Sequence, residues 1–365
     1  MHRVELTYAL RSTDGAPREL HHPLLELLEA IQRSGSISAA ARDLKMSYRH
    51  VWGELKRWEV ELGRPLLLWS KGHAAQLSPF GAKLLHAERQ ARARLAPQLA
   101  ALRGEIERAF AVAFDDAAGV IEMAASHDEA LPLLRDWVAQ HRRLDLDIHF
   151  TGSVDALAAL NDGRCGLAGF HALTHAERNT PTARVYRPML RPGRHKLIGF
   201  AERSQGLIVA PGNPLGIATL ADLARVGVRF VNRRRGTGTR VVLDELLAAA
   251  GVAAASIDGY ERAEPSHRAV AESVASGSAD AAFGIEAVAR ARGLEFIELA
   301  REDYFLVTLA EHIEQPHIAT LREALASAEW QQALRRIPGY AAHRSGEVLS
   351  LTEVLPWWRW KKPKR

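Results

Sequence analysis

The apolar positions change their rhythm twice along the chain. Over 22–106 the spacing is helical almost throughout. Leu24, Leu25, Leu27, Leu28 and Ile31 form one face, stopped at Ser34-Gly35. A short second helix over 36–44 turns Ile37, Ala40, Ala41 and Leu44 inward, its alanines letting another helix pass close by. After Lys45-Met46, Ser47 is an N-cap for a third helix over 47–62. Val51, Leu55, Trp58 and Leu62 share its buried stripe, at spacings of four, three and four. The stretch 64–77 reads as a small hairpin, and Ser78-Pro79 starts another helix with serine as cap and proline in the first turn. Leu84, Leu85, Leu95, Leu99, Leu102 and Ile106 make a long seam on that helix, which needs either a second copy or its own subunit's second domain as a partner.

From Gly119 to Leu309 short β-like runs alternate with helical ones, the pattern of a mostly parallel α/β fold. Strands are expected at 120–125, 146–150, 166–170, 196–200, 206–210, 229–231, 281–285 and 296–299. Helices are expected at 129–140, 153–161, 239–249 and 267–276. The chain is then helical to about Arg336 and ends in a basic, Trp-rich tail. The domain boundaries that follow are 15–78 for a DNA-binding head, 79–112 for a linker helix, 118–340 for an α/β domain and 341–365 for the tail.

Composition narrows the function classes. At 47% hydrophobic and 25% charged residues over 365 positions, the chain is ordinary globular protein with room for more than one core. A formal charge of +5 is compatible with a polyanionic partner. The single cysteine, Cys165, excludes an intrachain disulfide and a Cys-rich zinc site, and its apolar surroundings suit a buried thiol better than a nucleophile. The first 13 residues carry charges rather than a continuous apolar run, and no stretch is long enough for a membrane span. A cytoplasmic location is expected, with no membrane partner.

The head has the chemistry of a DNA reader. Short helix, tight turn, longer helix and hairpin place one helix in a major groove. Arg42, Lys45, Arg49, Arg57, Arg64 and Lys71 suit phosphates, with Ser36 at the supporting helix start. Ser47, Tyr48, Arg49 and His50 stand at the recognition-helix start, where side chains reach base edges. The stretch GSISAAARDLKMSYRHVWGELKRWEVELGRPLLLW, continued by GHAAQLSPFGAKLL, resembles the N-terminal domain of ModE-type molybdate-responsive regulators and, more distantly, LysR-type regulators, over 35–85. The resemblance implies a supporting helix at 36–44, a recognition helix at 47–62 and a wing at 64–77. It also implies a homodimer, or a higher even-numbered oligomer, joined through the long helix and reading an inverted-repeat operator in double-stranded DNA.

In the α/β region the loops at the carboxyl ends of strands build the site. Ser126-His127-Asp128 and Thr151-Gly152-Ser153 each follow a strand and precede a helix. In Asn232-Arg233-Arg234-Arg235-Gly236-Thr237-Gly238-Thr239-Arg240, glycines free the backbone while helix-start N–H groups and hydroxyls converge, a nest for an oxyanion or carboxylate with Arg233 or Arg240 supplying charge. It lacks the Gly-Lys-Ser/Thr ending of a phosphate-loop NTPase. The segments AASHDEALPLL, TGSVDALAALNDGRCGLAGFH, RFVNRRRGTGTR and HRAVAESVASGSADAAFGI resemble the two-lobed, type II periplasmic-binding-protein-like domain behind ModE-type heads, a relative of molybdate- and tungstate-binding transport proteins. That resemblance implies a clamp closing on a small anionic ligand through Ser126, Ser153, Arg233, Thr237 and Thr239, with His171 and His267 as further contacts.

His127, Asp128 and His171 enrich the site beyond what a plain tetraoxoanion needs, leaving an organic acid or a molybdenum-cofactor-like fragment as the alternative ligand to molybdate or tungstate. Asn232, Gly238 and Arg240 complete the candidate set. No resident cofactor is expected, and no metal on His127 and His171, since no carboxylate–His spacing argues for one. Adjacent Ser126, His127 and Asp128 do not make a catalytic triad, which draws its members from separate elements, so no enzyme is expected. A transport binding protein has the second domain but not the head. The tail's tryptophans are expected to pack on the ligand domain while its lysines stay in water.

Overall fold

A computed structural model describes residues 10–11, 19–20, 23–68, 75–114, 119–174 and 180–358. The wing tip with Lys71, and the tail beyond 358, lie outside the described residues. Two compact units divide at Arg92/Ala93.

In the first unit β1 (Leu10–Arg11) pairs antiparallel with β2 (Glu19–Leu20), followed by α1 (Pro23–Ser34), α2 (Ile37–Asp43) and α3 (Tyr48–Leu62). A hairpin of β3 (Leu67–Leu68) and β4 (Gln76–Leu77) leads into α4 (Pro79–Phe114). Leu27, Leu28, Ile31, Ala40, Ala41, Val51, Leu55, Trp58 and Leu66 form the core, the inward stripes read from spacing. The starts are capped: Ser36 Oγ accepts from Ala39 N–H at 3.3 Å and Ser47 Oγ from His50 N–H at 3.1 Å. Gly63, at φ 65°, closes α3 in the left-handed conformation. Leu85, counted above with the seam of α4, belongs to this core, whereas Leu95 and Leu102 are exposed.

The second unit contains β5 (Gly119–Ala125), α5 (Ala130–Arg142), β6 (Leu144–Phe150), α6 (Ser153–Asn161), β7 (Leu167–Leu173), α7 (Pro181–Tyr186) and β8 (His195–Val209). It continues through β9 (Phe230–Arg233), α8 (Gly238–Ala249), β10 (Ala263–Glu264), α9 (His267–Ala275), β11 (Ala281–Ile285) and α10 (Glu286–Ala291). Last come β12 (Glu295–Leu309), α11 (Pro316–Ala326), α12 (Ala328–Leu334), β13 (Tyr340–Ala341), β14 (Val348–Leu349) and α13 (Leu351–Val354). The sheet order is β10-β9-β11-β8-β12-β7-β5-β6, with β13 and β14 also on β8.

The sheet is mixed rather than mostly parallel. β5 runs parallel to β6 and β7, and β9 parallel to β10 and β11, giving two parallel halves. Between them β8 and β12, antiparallel to each other, pass from one half to the other. The strands expected at 196–200 and 206–210 are therefore one 15-residue strand, and 296–299 is only the start of another. The polar run Arg203-Ser204-Gln205, followed by Gly206, imitates a turn in sequence. In the fold those side chains are buried and bonded, Ser204 Oγ donating to Glu298 at 2.8 Å, and Gly206 lies so near the Ile297 carbonyl that a Cβ would strike it.

Cys165 is half-buried, and burial raises its thiol pKa, as suits an inert thiol. Trp357 is buried against Phe170 and Tyr186, the packing expected of the tail's tryptophans. Asp280 accepts from the Arg229 backbone and guanidinium, both at 2.9 Å, and so pins β9 to β11.

Candidate functional sites

In the first unit, burial of Val51, Leu55 and Trp58 fixes the rotation of α3 and turns its opposite face outward. Tyr48 is 51% exposed, and Ser47, Arg49 and His50 are exposed beside it. Arg42 and Lys45 are also exposed, and Lys45 makes the turn between α2 and α3 at a positive φ of 54°. Arg57 differs from the expectation of a free phosphate ligand: its guanidinium lies 2.6 Å from Glu54. Ser36 is half-buried and holds the start of α2.

In the second unit the starts of α6 and α8 meet. A Cβ on Gly152 would lie 2.8 Å from the Gly236 carbonyl, and one on Gly238 would lie 2.9 Å from the His171 ring and 3.2 Å from Ser153 Oγ. Neither helix has a side-chain cap. Their first-turn N–H groups lack intrahelical acceptors and carry the positive end of the helix dipole. Ser126 Oγ, at the end of β5, lies 2.8 Å from Ser153 Oγ. Two hydroxyls sharing one hydrogen bond leave a second proton to donate.

Around this junction stand groups whose polar atoms have no partner among the described residues. They include Arg233 Nε, both ring nitrogens of His171, Nδ1 of His127 and of His267, Tyr304 Oη, Gln205 Oε1 and Glu302 Oε2. His171, Arg233 and His267 are each only 1% exposed. Thr239 Oγ1 accepts from Gln205 Nε2 at 3.1 Å and lies 3.4 Å from His267 Nε2.

Arg233 is the one without an obvious reason to be charged there. Among the described residues it has no carboxylate partner; it donates to the Glu264 carbonyl at 3.3 Å, while the Glu264 carboxylate takes both donors of Arg94, at 2.9 and 2.7 Å. Burial, then the Arg203 and Arg234 charges, holds its pKa below the usual guanidinium value. Burial likewise depresses the three histidines, His127 to about 4 and His171 and His267 well below their ordinary value. All three are neutral at ordinary pH.

Several candidates are committed inside the chain instead. Asp128 Oδ1 accepts from Ala130 N–H at 2.7 Å, while Oδ2 takes the Arg203 guanidinium and the Tyr340 hydroxyl, the latter at 2.5 Å. Its charge does not face a ligand. Asn232 donates to the Tyr260 carbonyl at 3.2 Å and accepts from Arg233 N–H at 2.9 Å. Arg240 donates to the Arg233 and Tyr260 carbonyls and lies 3.9 Å over the Tyr260 ring. Thr237 Oγ1 donates to the Arg234 carbonyl at 2.8 Å, whereas Thr239 Oγ1 accepts from Gln205. Sequence reasoning missed Arg203, Gln205, Glu302 and Tyr304, all from the two long strands. Ser126, His127 and Asp128 form no relay, because the Asp128 carboxylate turns to Arg203 and Tyr340.

Among the described residues no helix is long and apolar enough to cross a membrane. Residues 23–82 match the bacterial regulatory helix-turn-helix proteins of the lysR family, the more distant of the two head resemblances, and residues 135–326 match the PBP superfamily domain. The Bacillus subtilis (strain 168) protein YvgK is 33% identical over 200 residues, 55% of this chain and 64% of its own length. The chain thus spans less than two thirds of that relative. A Clostridium pasteurianum protein from the 5′ region of a 2Fe-2S ferredoxin gene is 34% identical over 111 residues, 30% of this chain and 98% of its own. A hydrogen-peroxide-bound OxyR cysteine mutant from Corynebacterium glutamicum aligns over 86% of this chain and 92% of its own, at 18% identity and a TM-score of 0.45.

Proposed function

Because the chain belongs to the PBP superfamily and carries a lysR-family regulatory helix-turn-helix ahead of that domain, we propose that it is a DNA-binding transcription regulator whose operator affinity responds to a small anion. The observation that carries the anion is Arg233: a buried guanidinium with no carboxylate partner among the described residues, near two helix starts without side-chain caps. A tetrahedral oxyanion, with molybdate or tungstate first, supplies the missing charge and caps α6 and α8 together. Ser126, Ser153, Thr239 and the ring N–H groups of the histidines donate to its oxygens.

A second reading keeps the anionic head but adds a hydrogen-bond donor, as in a hydroxy or amino acid. It is favoured by Gln205 Oε1 and Glu302 Oε2, acceptors without partners that a bare oxyanion leaves unsatisfied.

For the head, α3 enters a major groove with Ser47, Tyr48, Arg49 and His50 toward base edges, and Arg42 and Lys45 toward phosphates. The exposed Leu95 and Leu102, in register with Leu99 and Ile106 on α4, pair two copies, so that the operator is an inverted repeat and the protein works in the cytoplasm, where DNA lies. Closure of the α/β unit on its anion alters how the dimer presents its two recognition helices.

The test is calorimetry of the full chain with tungstate and molybdate, with hydroxy and amino acids alongside, repeated on Arg233→Ala. Losing a charge-assisted hydrogen-bonding group is expected to weaken binding about 10- to 100-fold. Tungstate affinity unchanged in Arg233→Ala refutes the site; affinity for an amino or hydroxy acid alone selects the second reading.

A further inference from the structure

Successive residues of a strand face opposite sides of the sheet. Arg203 and Glu302, partners across β8 and β12, are buried and bonded to each other beside the proposed anion site. The next pair along, Glu202 and Asp303, therefore faces the other way. Two carboxylates stand directly opposite each other there, a cross-strand arrangement in which like charges repel. Their side chains are only 19% and 16% exposed, so water screens them incompletely.

His343 joins them from a third segment. β13 pairs with β8 along the edge that β12 leaves open, Ala341 beside Glu202 and Tyr340 beside Arg203. Two residues on, His343 reaches over β8, and its Nδ1 lies 2.7 Å from Asp303 Oδ1. One ligand atom from each of Glu202, Asp303 and His343 falls within 4.8 Å of the others. The segment carrying the histidine is tied down on both sides. Past it, Ser345 Oγ donates to the Phe200 carbonyl at 2.7 Å and Gly346 N–H to the Gly199 carbonyl at 2.8 Å. Gly199 leaves no room for a Cβ against the Arg344 carbonyl, so the crossing is close. The nearby arginines are engaged elsewhere or shared. Arg344 pairs with Glu347 and Glu353, and Arg301 divides its guanidinium between Glu202 and Glu298, each at 2.9 Å.

Tetrahedral zinc, with bonds of about 2.0–2.2 Å, holds its ligand atoms about 3.3–3.5 Å apart. The spacings found here, from 2.7 Å to at most 4.8 Å, bracket that range on side chains that can rotate. Two carboxylates alone suit Mg²⁺ or Ca²⁺ as well, and the imidazole nitrogen shifts the preference to Zn²⁺ and its transition-metal neighbours. A neutral imidazole and two carboxylates match the charge of a divalent ion, and water takes the position left over. We propose that Glu202, Asp303 and His343 bind a divalent transition-metal ion, Zn²⁺ foremost, on the face of β8 and β12 turned away from the anion site. The ion fastens β12, β8 and the segment after β13 at one point. It is a separate site, present whether or not an anion binds on the other face.

Calorimetry of the full chain, stripped of metal with a chelator and dialysed, measures the binding of Zn²⁺ and of Mg²⁺. Other histidines can take up Zn²⁺, so the comparison with variants decides. His343→Ala and Glu202→Gln should each lose about one equivalent of Zn²⁺, or hold it at least about tenfold more weakly, since losing a ligand is no milder than losing a group that supports one. Mg²⁺ should bind more weakly than Zn²⁺. Zn²⁺ should raise the melting temperature of the wild type more than that of either variant. Circular dichroism without metal checks that the variants fold, and should one of them fail to, the other carries the comparison. A wild type that takes up no Zn²⁺ overturns the proposal, as does wild-type stoichiometry and affinity in either folded variant. Mg²⁺ binding as tight as that of Zn²⁺ overturns the choice of a transition metal.

Discussion

At the scale of single residues, the divide runs between side chains with polar atoms left unpartnered among the described residues and side chains bonded to each other. Ser126, Ser153, Thr239 and Arg233 keep donors in reserve, whereas Asp128 already accepts three hydrogen bonds from within the chain. Removing that carboxylate leaves Arg203 with only one of its two anionic neighbours in a fully buried position. Asp128→Asn is expected to cost about 2 kcal/mol of unfolding free energy, measured by urea titration, because Arg203 and Tyr340 lose a charged acceptor while Glu302 still pairs with Arg203. The neutral histidines set the response to acid. His127 titrates at about 4 in the folded chain against an ordinary value of 6.5, so the unfolded chain binds the proton first as pH falls. The His127 contribution is complete above about pH 6.5 and drains away toward pH 4; the melting temperature should decline across that window, and His127→Gln should soften the decline. The residues where α6 and α8 meet stand out in the sequence because they lie where a strand gives way to a helix. Arg203 does not, since it sits mid-strand and finds Asp128, 75 positions earlier, only after the sheet has formed.

At the scale of elements, helices were read closely and long strands poorly. Serine caps and apolar stripes are local signals, and Ser36, Ser47 and Ser266 each hold the start of their helix as such signals require. A strand of 15 residues that crosses between two half-sheets has different neighbours at each end, so its pattern changes midway and imitates two strands. The meeting of α6 and α8 has a sharper requirement. Gly152 faces the Gly236 carbonyl with no space for a Cβ, and the neighbour is backbone, which cannot swing aside. Gly152→Ala should part the two helix starts, weakening tungstate binding at least about tenfold, since small misplacements of converging donors are costly. Circular dichroism should stay unchanged. Wild-type affinity in this variant would mean that the two starts do not act together.

On the level of the whole molecule, the order of parts was legible: a helical head with a hairpin, a long helix, an α/β unit and a tail returning to it. The head's matched family is lysR, and the identity of the anion was beyond what its own residues specify. The proposed division of DNA and anion binding between the two units predicts separable damage. Arg49→Ala should weaken operator binding and flatten its salt dependence if it meets phosphate, or relax base preference if it meets a base edge, while anion affinity holds. Gel shifts over a salt series distinguish these. Loss of anion binding in the same variant would show that the two units are not independent.

β8 and β12 also decide how the α/β unit can move. They are registered to each other from end to end, with irregularities only near Glu298 and Tyr304, and both run through the two half-sheets. The halves are therefore joined by a hydrogen-bonded ribbon rather than by slack loops alone, and closing them must twist that ribbon like a torsion spring. Such a joint stores a little elastic energy, limits the sweep to small angles and returns when the load is removed. Its amides should be among the slowest to exchange with deuterium, free or loaded, even while the edges of both halves change their protection.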